Sequence, residues 1–113
     1  MNIEAVLIDY LKTALNTGHV YAEVPEDAPE EYFVTDKTGS STVNDLCTAT
    51  VAIQSYGPTK LRAAELNEDL KTAMEDFTTL DGISDCHLVT DYNFSNISKK
   101  QHRYQAVFDI TYY

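Results

Sequence analysis

The sequence predicts an α+β fold: an antiparallel sheet of about four to five strands with two helices, in the order α-β-β-β-α-β-β. Apolar residues recur at helical spacing in two separate stretches, whereas elsewhere they alternate with polar residues, as in strands. Runs of strands interrupted by single helices are typical of an antiparallel sheet with its helices on one face. A chain of 113 residues suits one domain, which we assign to residues 1–113.

The first helix is expected over residues 2–15, with Asn2 as its N-cap and residues 16–18 as its stop. The second helix follows the break at residues 56–58, where Pro58 suits the first helical turn because a missing N–H costs nothing there. Each helix carries one apolar stripe. The stripes comprise Ile3, Val6, Leu7, Tyr10, Leu11 and Ala14 in the first helix and Ala63, Leu66, Leu70, Ala73, Met74 and Phe77 in the second.

Strands are expected at residues 19–24, 32–36 and 43–55, separated by an exposed acidic loop at 25–31 and a turn at 37–41. The residues expected to share one face of the long strand are Cys47, Ala49, Val51, Ile53 and Ser55.

Two further strands close the chain after a loop at residues 78–85. The connection between them, residues 95–101, is longer than a tight hairpin turn. Alternation predicts one shared face in each strand. These faces comprise Cys86, Leu88, Thr90, Tyr92 and Phe94 in the first strand and Tyr104, Ala106, Phe108, Ile110 and Tyr112 in the last.

The charge balance excludes some partners. Eight basic and 18 acidic residues give a formal net charge of −10. Such a chain repels phosphate backbones and anionic membranes, so we expect neither tight nucleic-acid binding nor membrane adhesion. The alternative interpretation is that this acidity only keeps the protein soluble. Cys47 and Cys86 form no CxxC pair, and we expect them to be buried free thiols in a reducing cytosol, without a signal peptide.

Motifs that carry chemistry are missing from the sequence. The four glycines lie far apart, which excludes GxGxxG and Walker phosphate loops, and no GxSxG elbow occurs. The three histidines have no HxxxH spacing, and a metal site would need His102 to lie opposite His87 on paired strands. We therefore expect no catalytic residues, no metal, no cofactor and no enzymatic activity.

One segment departs from the anionic character of the chain, because it concentrates basic residues in the connection between the last two strands. Two interpretations stay open: a charged loop that discourages edge pairing, or a basic tip that docks on the acidic loop of the same chain or of a neighbouring copy. The second interpretation predicts a subunit contact comprising Lys99, Lys100, Arg103, Glu26, Asp27, Glu30 and Glu31. Opposite charges at two ends of a subunit favour head-to-tail, ring-forming contacts.

Features that carry a family resemblance span nearly the whole chain. They are a first helix ending Leu15-Asn16-Thr17-Gly18, the strand Val20-Tyr21-Ala22-Glu23-Val24-Pro25, the long strand Cys47-Thr48-Ala49-Thr50-Val51-Ala52-Ile53-Gln54-Ser55, the break Tyr56-Gly57-Pro58, the helical Ala63-Ala64-Glu65-Leu66 and the strand Arg103-Tyr104-Gln105-Ala106-Val107-Phe108. In this combination the chain resembles the tail-terminator (tail-completion) proteins of long-tailed bacteriophages. Neck proteins of the same phages share its size and style.

The resemblance implies a virion structural protein, assembled in the host cytoplasm, that forms a homo-oligomeric ring, a hexamer, on the end of the tail tube. Its implied partners are further copies of itself, the tail tube protein and a neck protein on the head side. It implies no catalytic residues, and an acidic channel lining would let DNA pass without binding. The alternatives are another head-closure or head–tail joining protein, or a cytosolic module that binds a protein partner through its sheet edge or Tyr-rich face.

Overall fold

The computed structural model describes residues 1–113 and has the predicted α+β class and element order. Two helices, a short 3-10 helix at Phe77–Thr79 and five strands make up the fold. Their bounds are α1 Ile3–Ala14, β1 Val20–Tyr21, β2 Tyr32–Val43, β3 Leu46–Gly57, α2 Lys60–Glu75, β4 Ile83–Asn93 and β5 His102–Tyr112. The strands form one sheet in the order β1-β2-β3-β5-β4. Neither helix is long and apolar enough to cross a membrane.

The sheet is mixed and not wholly antiparallel as predicted, because its first strand runs parallel to its neighbour while all other pairs are antiparallel. β1 is shorter than the predicted strand at residues 19–24, and it contributes only Val20 and Tyr21. A parallel pair needs a connection that returns the chain to the starting end of the sheet. Residues 22–31 provide that connection, so the acidic loop lies on the β1 side of the molecule.

Both helices pack on the same face of the sheet, which we call the covered face. The N-cap prediction for α1 is confirmed, since the Asn2 side chain accepts a hydrogen bond from the Ala5 N–H at 3.2 Å. Between the helices, the Tyr10 hydroxyl donates to the Ala73 carbonyl at 2.6 Å. The main core is a cluster of 17 buried residues that includes Leu7 and Leu70 from the two helices. Because this cluster contains residues from both helices and from the strands, it lies between the covered face and the two helices.

The start of α2 differs from the prediction by two residues. The helix begins at Lys60 and Thr59 is its N-cap, whose hydroxyl accepts from the Arg62 N–H at 3.1 Å. Pro58 therefore precedes the cap instead of lying in the first turn. Gly57 has a separate role, because a Cβ there would lie 2.8 Å from the Ala63 backbone nitrogen. The absence of a side chain lets strand and helix approach closely at this junction.

The turn predicted at residues 37–41 is wrong. β2 continues through this segment to Val43 and accommodates an irregularity between Lys37 and Gly39 as a bulge. The reversal comes at Asn44 and Asp45, whose φ angles are 51° and 66°. Positive φ at both central residues of a two-residue hairpin is the type I′ geometry, which matches the twist of paired strands. The glycine and serines that indicated a turn instead occupy an exposed stretch of β2.

A bulge at Val89 changes which side chains of β4 face the helices. Leu88 pairs with Phe108 and Thr90 with Val107, so one extra residue lies between two consecutive pairs. The predicted single face from Cys86 to Phe94 is therefore wrong beyond Leu88. Asp91 lies opposite core residue Ala106 and shares the covered face, whereas Thr90 and Tyr92 face the opposite side.

Candidate interaction surfaces

The predicted acidic and basic segments lie at the same end of the strands but at opposite edges of the sheet. Tyr32 pairs with Tyr56, which pairs with Arg103, so β2 begins where β3 ends and β5 begins. Residues 22–31, which include the acidic loop at 25–31, connect β1 to β2 at one edge of the sheet, and the basic turn at residues 94–101 connects β5 to β4 at the other edge. Three strand spacings separate β2 from β4, or about 14 Å at ~4.8 Å each. The expectation that these charges occupy two ends of the subunit is wrong.

The basic turn is a closed, hydrogen-bonded hairpin tip. Asn96 and Gln101 exchange two backbone hydrogen bonds at 2.9 and 3.0 Å, and the Lys100 N–H donates to the Ile97 carbonyl at 3.1 Å. The Asn96 side chain accepts from the Ser98 hydroxyl at 2.8 Å. Lys100 has a φ of 53°, which completes the reversal. These bonds close the tip while its lysines stay exposed.

Arg103 is engaged within its own chain. Its Nε–H donates to the Phe94 carbonyl at 2.7 Å and a terminal N–H donates to the Tyr56 hydroxyl at 3.0 Å. Its guanidinium carbon lies 4.5 Å from the Phe94 ring centroid and 5.7 Å from that of Tyr56. Stacking on two rings and donation to two separate acceptors fix the orientation of this arginine. Arg103 therefore differs from Lys99 and Lys100, whose part in a subunit contact stays a prediction.

The acidic loop also divides into an anchored and a free part. Glu31 accepts from Arg62 Nε at 2.6 Å and from a second guanidinium nitrogen at 3.0 Å, which joins the loop to the start of α2. This hydrogen bond lowers the pKa of Glu31 below its ordinary value of 4.5. Glu26 and Asp27 form an exposed turn, and Glu30 is exposed. Their predicted contact with another copy stays a prediction.

An aromatic band crosses the helix-free face of the sheet above this end. The Tyr32 and Tyr56 rings stack with centroids 4.3 Å apart, and Tyr21 meets Tyr32 edge-on at 6.3 Å. Arg103 and Phe94 continue the band toward β4. The stacked Tyr32 and Tyr56 are buried, whereas Phe94 is exposed. Tyrosine, phenylalanine and arginine are among the residue types enriched at protein–protein contacts, and Phe94 is the exposed member of this band.

A chain of side-chain hydrogen bonds runs beside the band. The Tyr56 hydroxyl donates to the Gln54 carbonyl oxygen at 2.9 Å, and the Gln54 amide donates to Gln105 at 2.9 Å. The Gln105 amide in turn donates to the Tyr92 hydroxyl. Together with the donation from Arg103 to Tyr56, these bonds connect strands β3, β5 and β4. They explain how polar side chains are accommodated on a face without helices.

The histidines do not form the arrangement that a metal would need. His87 lies opposite Asp109 and His102 opposite Gly57, so the two rings are not opposite each other. His87 Nδ1 lies 3.0 Å from an Asp85 carboxylate oxygen, and its Nε2 lies 3.7 Å from Asp109. This exposed imidazole contacts two acids but no hydroxyl or thiol. No group of three or more metal-ligating side chains is placed to hold an ion.

A groove of about 350 Å³ separates α2 from β4. Near it, Asp91 accepts from the Asn67 amide at 2.8 Å and from Lys71 Nζ at 3.0 Å. Hydrogen bonds to Glu68 and Asp91 raise the pKa of Lys71. The Asn67 side chain is buried within the apolar stripe of α2. Its partner, Asp91, faces this helix because the Val89 bulge shifts the alternation of β4 by one residue. Sequence periodicity could not reveal that pairing.

Several exposed apolar side chains lie near the turn between β4 and β5, and the sequence did not predict this surface. Ile97 is 89% exposed at the tip of the basic turn, and Tyr92 and Phe94 are exposed at the end of β4 and on its extension. An isoleucine between polar turn residues was the one sequence signal for this surface. A group of exposed apolar side chains is a candidate protein-binding surface.

No protein-family model matches this chain, and no curated protein matches it. The fold and the surfaces described above are therefore the physical basis for a functional proposal.

Proposed function

We propose that this chain is a virion structural protein that forms a ring on the end of a bacteriophage tail tube, terminates the tail and provides the joint to the head. The observation that carries the proposal is the placement of two different, complementary surfaces on opposite sides of one end of the sheet. The β1–β2 side has the acidic turn at Glu26 and Asp27, and the β4–β5 side has Lys99 and Lys100.

Complementary surfaces that differ from one another favour a head-to-tail arrangement of copies. Such a contact repeats around an axis and closes into a ring when the rotation between neighbours divides a full turn. Two identical patches would instead favour a twofold dimer. The family resemblance adds the expected number of copies, six, and the expected neighbours, the tail tube protein and a neck protein on the head side.

The net charge of −10 supports the same proposal. A ring at the head–tail joint surrounds the path of the DNA, and an acidic wall repels phosphates instead of retaining them. Binding to DNA would slow its passage, so the charge suits a conduit. The exposed apolar residues of the β4–β5 end provide area for protein contacts within the assembly.

Electron microscopy of the purified protein mixed separately with its own tail tubes and with heads of the same phage tests the proposal. We expect added density at one end of the tubes, with rotational symmetry matching the tube. Bovine serum albumin at equal concentration is the control for non-specific adhesion. Density on the head connector but not on tubes would favour another neck protein, and density on neither would overturn the virion proposal.

A further inference from the structure

We propose that the contact between neighbouring copies is made by the acidic turn of one copy seated on the hairpin tip of the next. The acidic turn is residues 25–29 with Glu30, and the hairpin tip is residues 94–102. This inference rests on the proposed ring and identifies which segments hold it together. It extends the predicted charge contact by adding the apolar and conformational parts of both surfaces.

The receiving surface is preformed. A depression of about 320 Å³ lies on the tip, and its lining includes Ile97, Lys100 and His102. The two hydrogen bonds between Asn96 and Gln101 fix the backbone beneath it. Ile97 offers the most exposed large apolar side chain of the molecule at the rim. A partner that settles here gains apolar burial without first having to order the loop.

The occupant is also restrained before binding. Pro25 and Pro29 flank the turn at Glu26 and Asp27, and proline limits the backbone conformations available to the loop. Glu31 anchors the end of the loop to α2 through the two hydrogen bonds from Arg62. Val24, which is 49% exposed, adds an aliphatic side chain before the turn. Each surface therefore combines charge with an exposed aliphatic group.

Charge and position together select a second copy as the occupant. Neither Lys99 nor Lys100 forms an ion pair within its chain, although the chain has 18 acidic residues. Two lysines in a chain of charge −10 are too few to hold a phosphate backbone. The acidic turn lies at the same end of the sheet on the opposite side, so copies placed side by side bring turn and tip together.

Complementary charge reversal tests the contact in the full chain. One variant is K99E/K100E and the other is E26K/D27K; all four side chains are exposed, so we expect both to fold with the thermal midpoint of the parent. Each variant alone places like charges across the contact. We therefore expect the affinity of self-association, measured by sedimentation velocity or on tail tubes, to fall at least about tenfold. An equimolar mixture restores opposite charges at every contact, so we expect assembly to recover.

The matched control is K12E/K60E, which changes the net charge as much as K99E/K100E but alters two exposed lysines elsewhere. We expect it to assemble like the parent. Loss of assembly in this control to the same degree would show a general charge effect and overturn the contact. Unchanged assembly of both test variants, or a mixture that fails to recover, would overturn it as well.

A peptide experiment separates this contact from the proposed function. A synthetic peptide of residues 22–31 is titrated into ¹⁵N-labelled E26K/D27K chain, and a peptide with Gln and Asn in place of Glu and Asp is the control. We expect shifts confined to residues 94–102 and lost with the control peptide. Such shifts without capped tail tubes leave the contact standing and remove the tail-end function. If the tubes are capped, the peptide causes no shifts and the charge-reversed variants still cap tubes, then the contact is overturned and the tail-end function stands.

Discussion

The two faces of the sheet are built from alternate residues of the same strands, yet they are stabilised in different ways. The covered face packs apolar side chains such as Ile53 and Phe108 against the helices. The helix-free face buries Tyr32 and Tyr56 against each other and connects Arg103 to them by hydrogen bonds and stacking. The stabilisation of the covered face depends on the apolar area that is buried, whereas that of the helix-free face depends on the direction and distance of hydrogen bonds.

The difference shows where each face tolerates polar groups. Three buried polar atoms lack a hydrogen-bond partner, and they belong to Thr35, Ser55 and Asn67. Thr35 and Ser55 lie on the covered face, since Thr35 lies opposite Ile53 and Ser55 opposite Phe33, and Asn67 lies on α2. The hydrogen-bonded amides and hydroxyls of the helix-free face find partners across strands instead. Directional pairing is thus concentrated where no helix supplies apolar contacts.

The largest expected effect tests the covered face. Phe77 is fully buried, and its ring meets Tyr10 edge-on with centroids 5.1 Å apart. Phe77→Ala should lower the free energy of unfolding by about 3–5 kcal/mol, because it removes apolar burial and leaves a cavity. Urea denaturation followed by circular dichroism measures the change. Leu61→Ala, at a position 72% exposed, is the control and should change stability by less than about 0.5 kcal/mol.

An intermediate effect tests the helix-free face. Arg103→Ala removes the donors to Phe94 and Tyr56 and the stacking on both rings, for an expected loss of about 1–3 kcal/mol. Arg103→Lys should recover little of it, because an ammonium lacks the planar fork. Lys99→Ala is the control in the same hairpin and should be close to neutral. A lysine variant as stable as the parent would contradict the directional account of this face.

The smallest effect concerns the rim between the acidic loop and α2. Arg62 lowers the pKa of Glu31, so this ion pair adds stability above the ordinary pKa of 4.5, and the addition disappears as pH falls through the lowered value. Glu31→Gln should therefore reduce the urea midpoint slightly at pH 7 and by less at pH 3, because protonation of Glu31 removes the ion pair as the pH falls. Glu30→Gln, at an exposed neighbour, is the control. An equal reduction at both pH values would exclude the ion pair as its cause.

The helices and the covered face were predictable from the sequence because each depends on local spacing. The apolar stripe from Ile3 to Leu11 and the Asn2 cap define α1, and the alternation from Ala49 to Ile53 defines the core of β3. These patterns follow from 3.6 residues per helical turn and from two residues per strand repeat. The fold class and the element order follow from them.

The remaining features depend on pairing between distant residues. Gly39 and its serine neighbours have turn composition, yet they pair with β3 because the tight reversal at Asn44 and Asp45 sets the register. The partners of Arg103 come from β3 and from the extension of β4. Only the register between strands reveals which of the predicted contact residues are occupied within the chain and which are free.

The bulge at Val89 has a consequence for how this chain tolerates insertions and deletions. The Val89 side chain is 54% exposed, so substitutions there leave the interior undisturbed. Its backbone, however, decides that Asp91 reaches Asn67 while Tyr92 reaches Gln105. Deleting this one residue would restore a regular ladder and leave Asp91 facing α2 and Tyr92 on the helix-free face. Inserting one residue directly after Val89 would instead exchange the two, bringing a tyrosine toward α2 and a carboxylate into the aromatic band. At this position the strand therefore tolerates a change of side chain, or the loss of the residue, better than the gain of one.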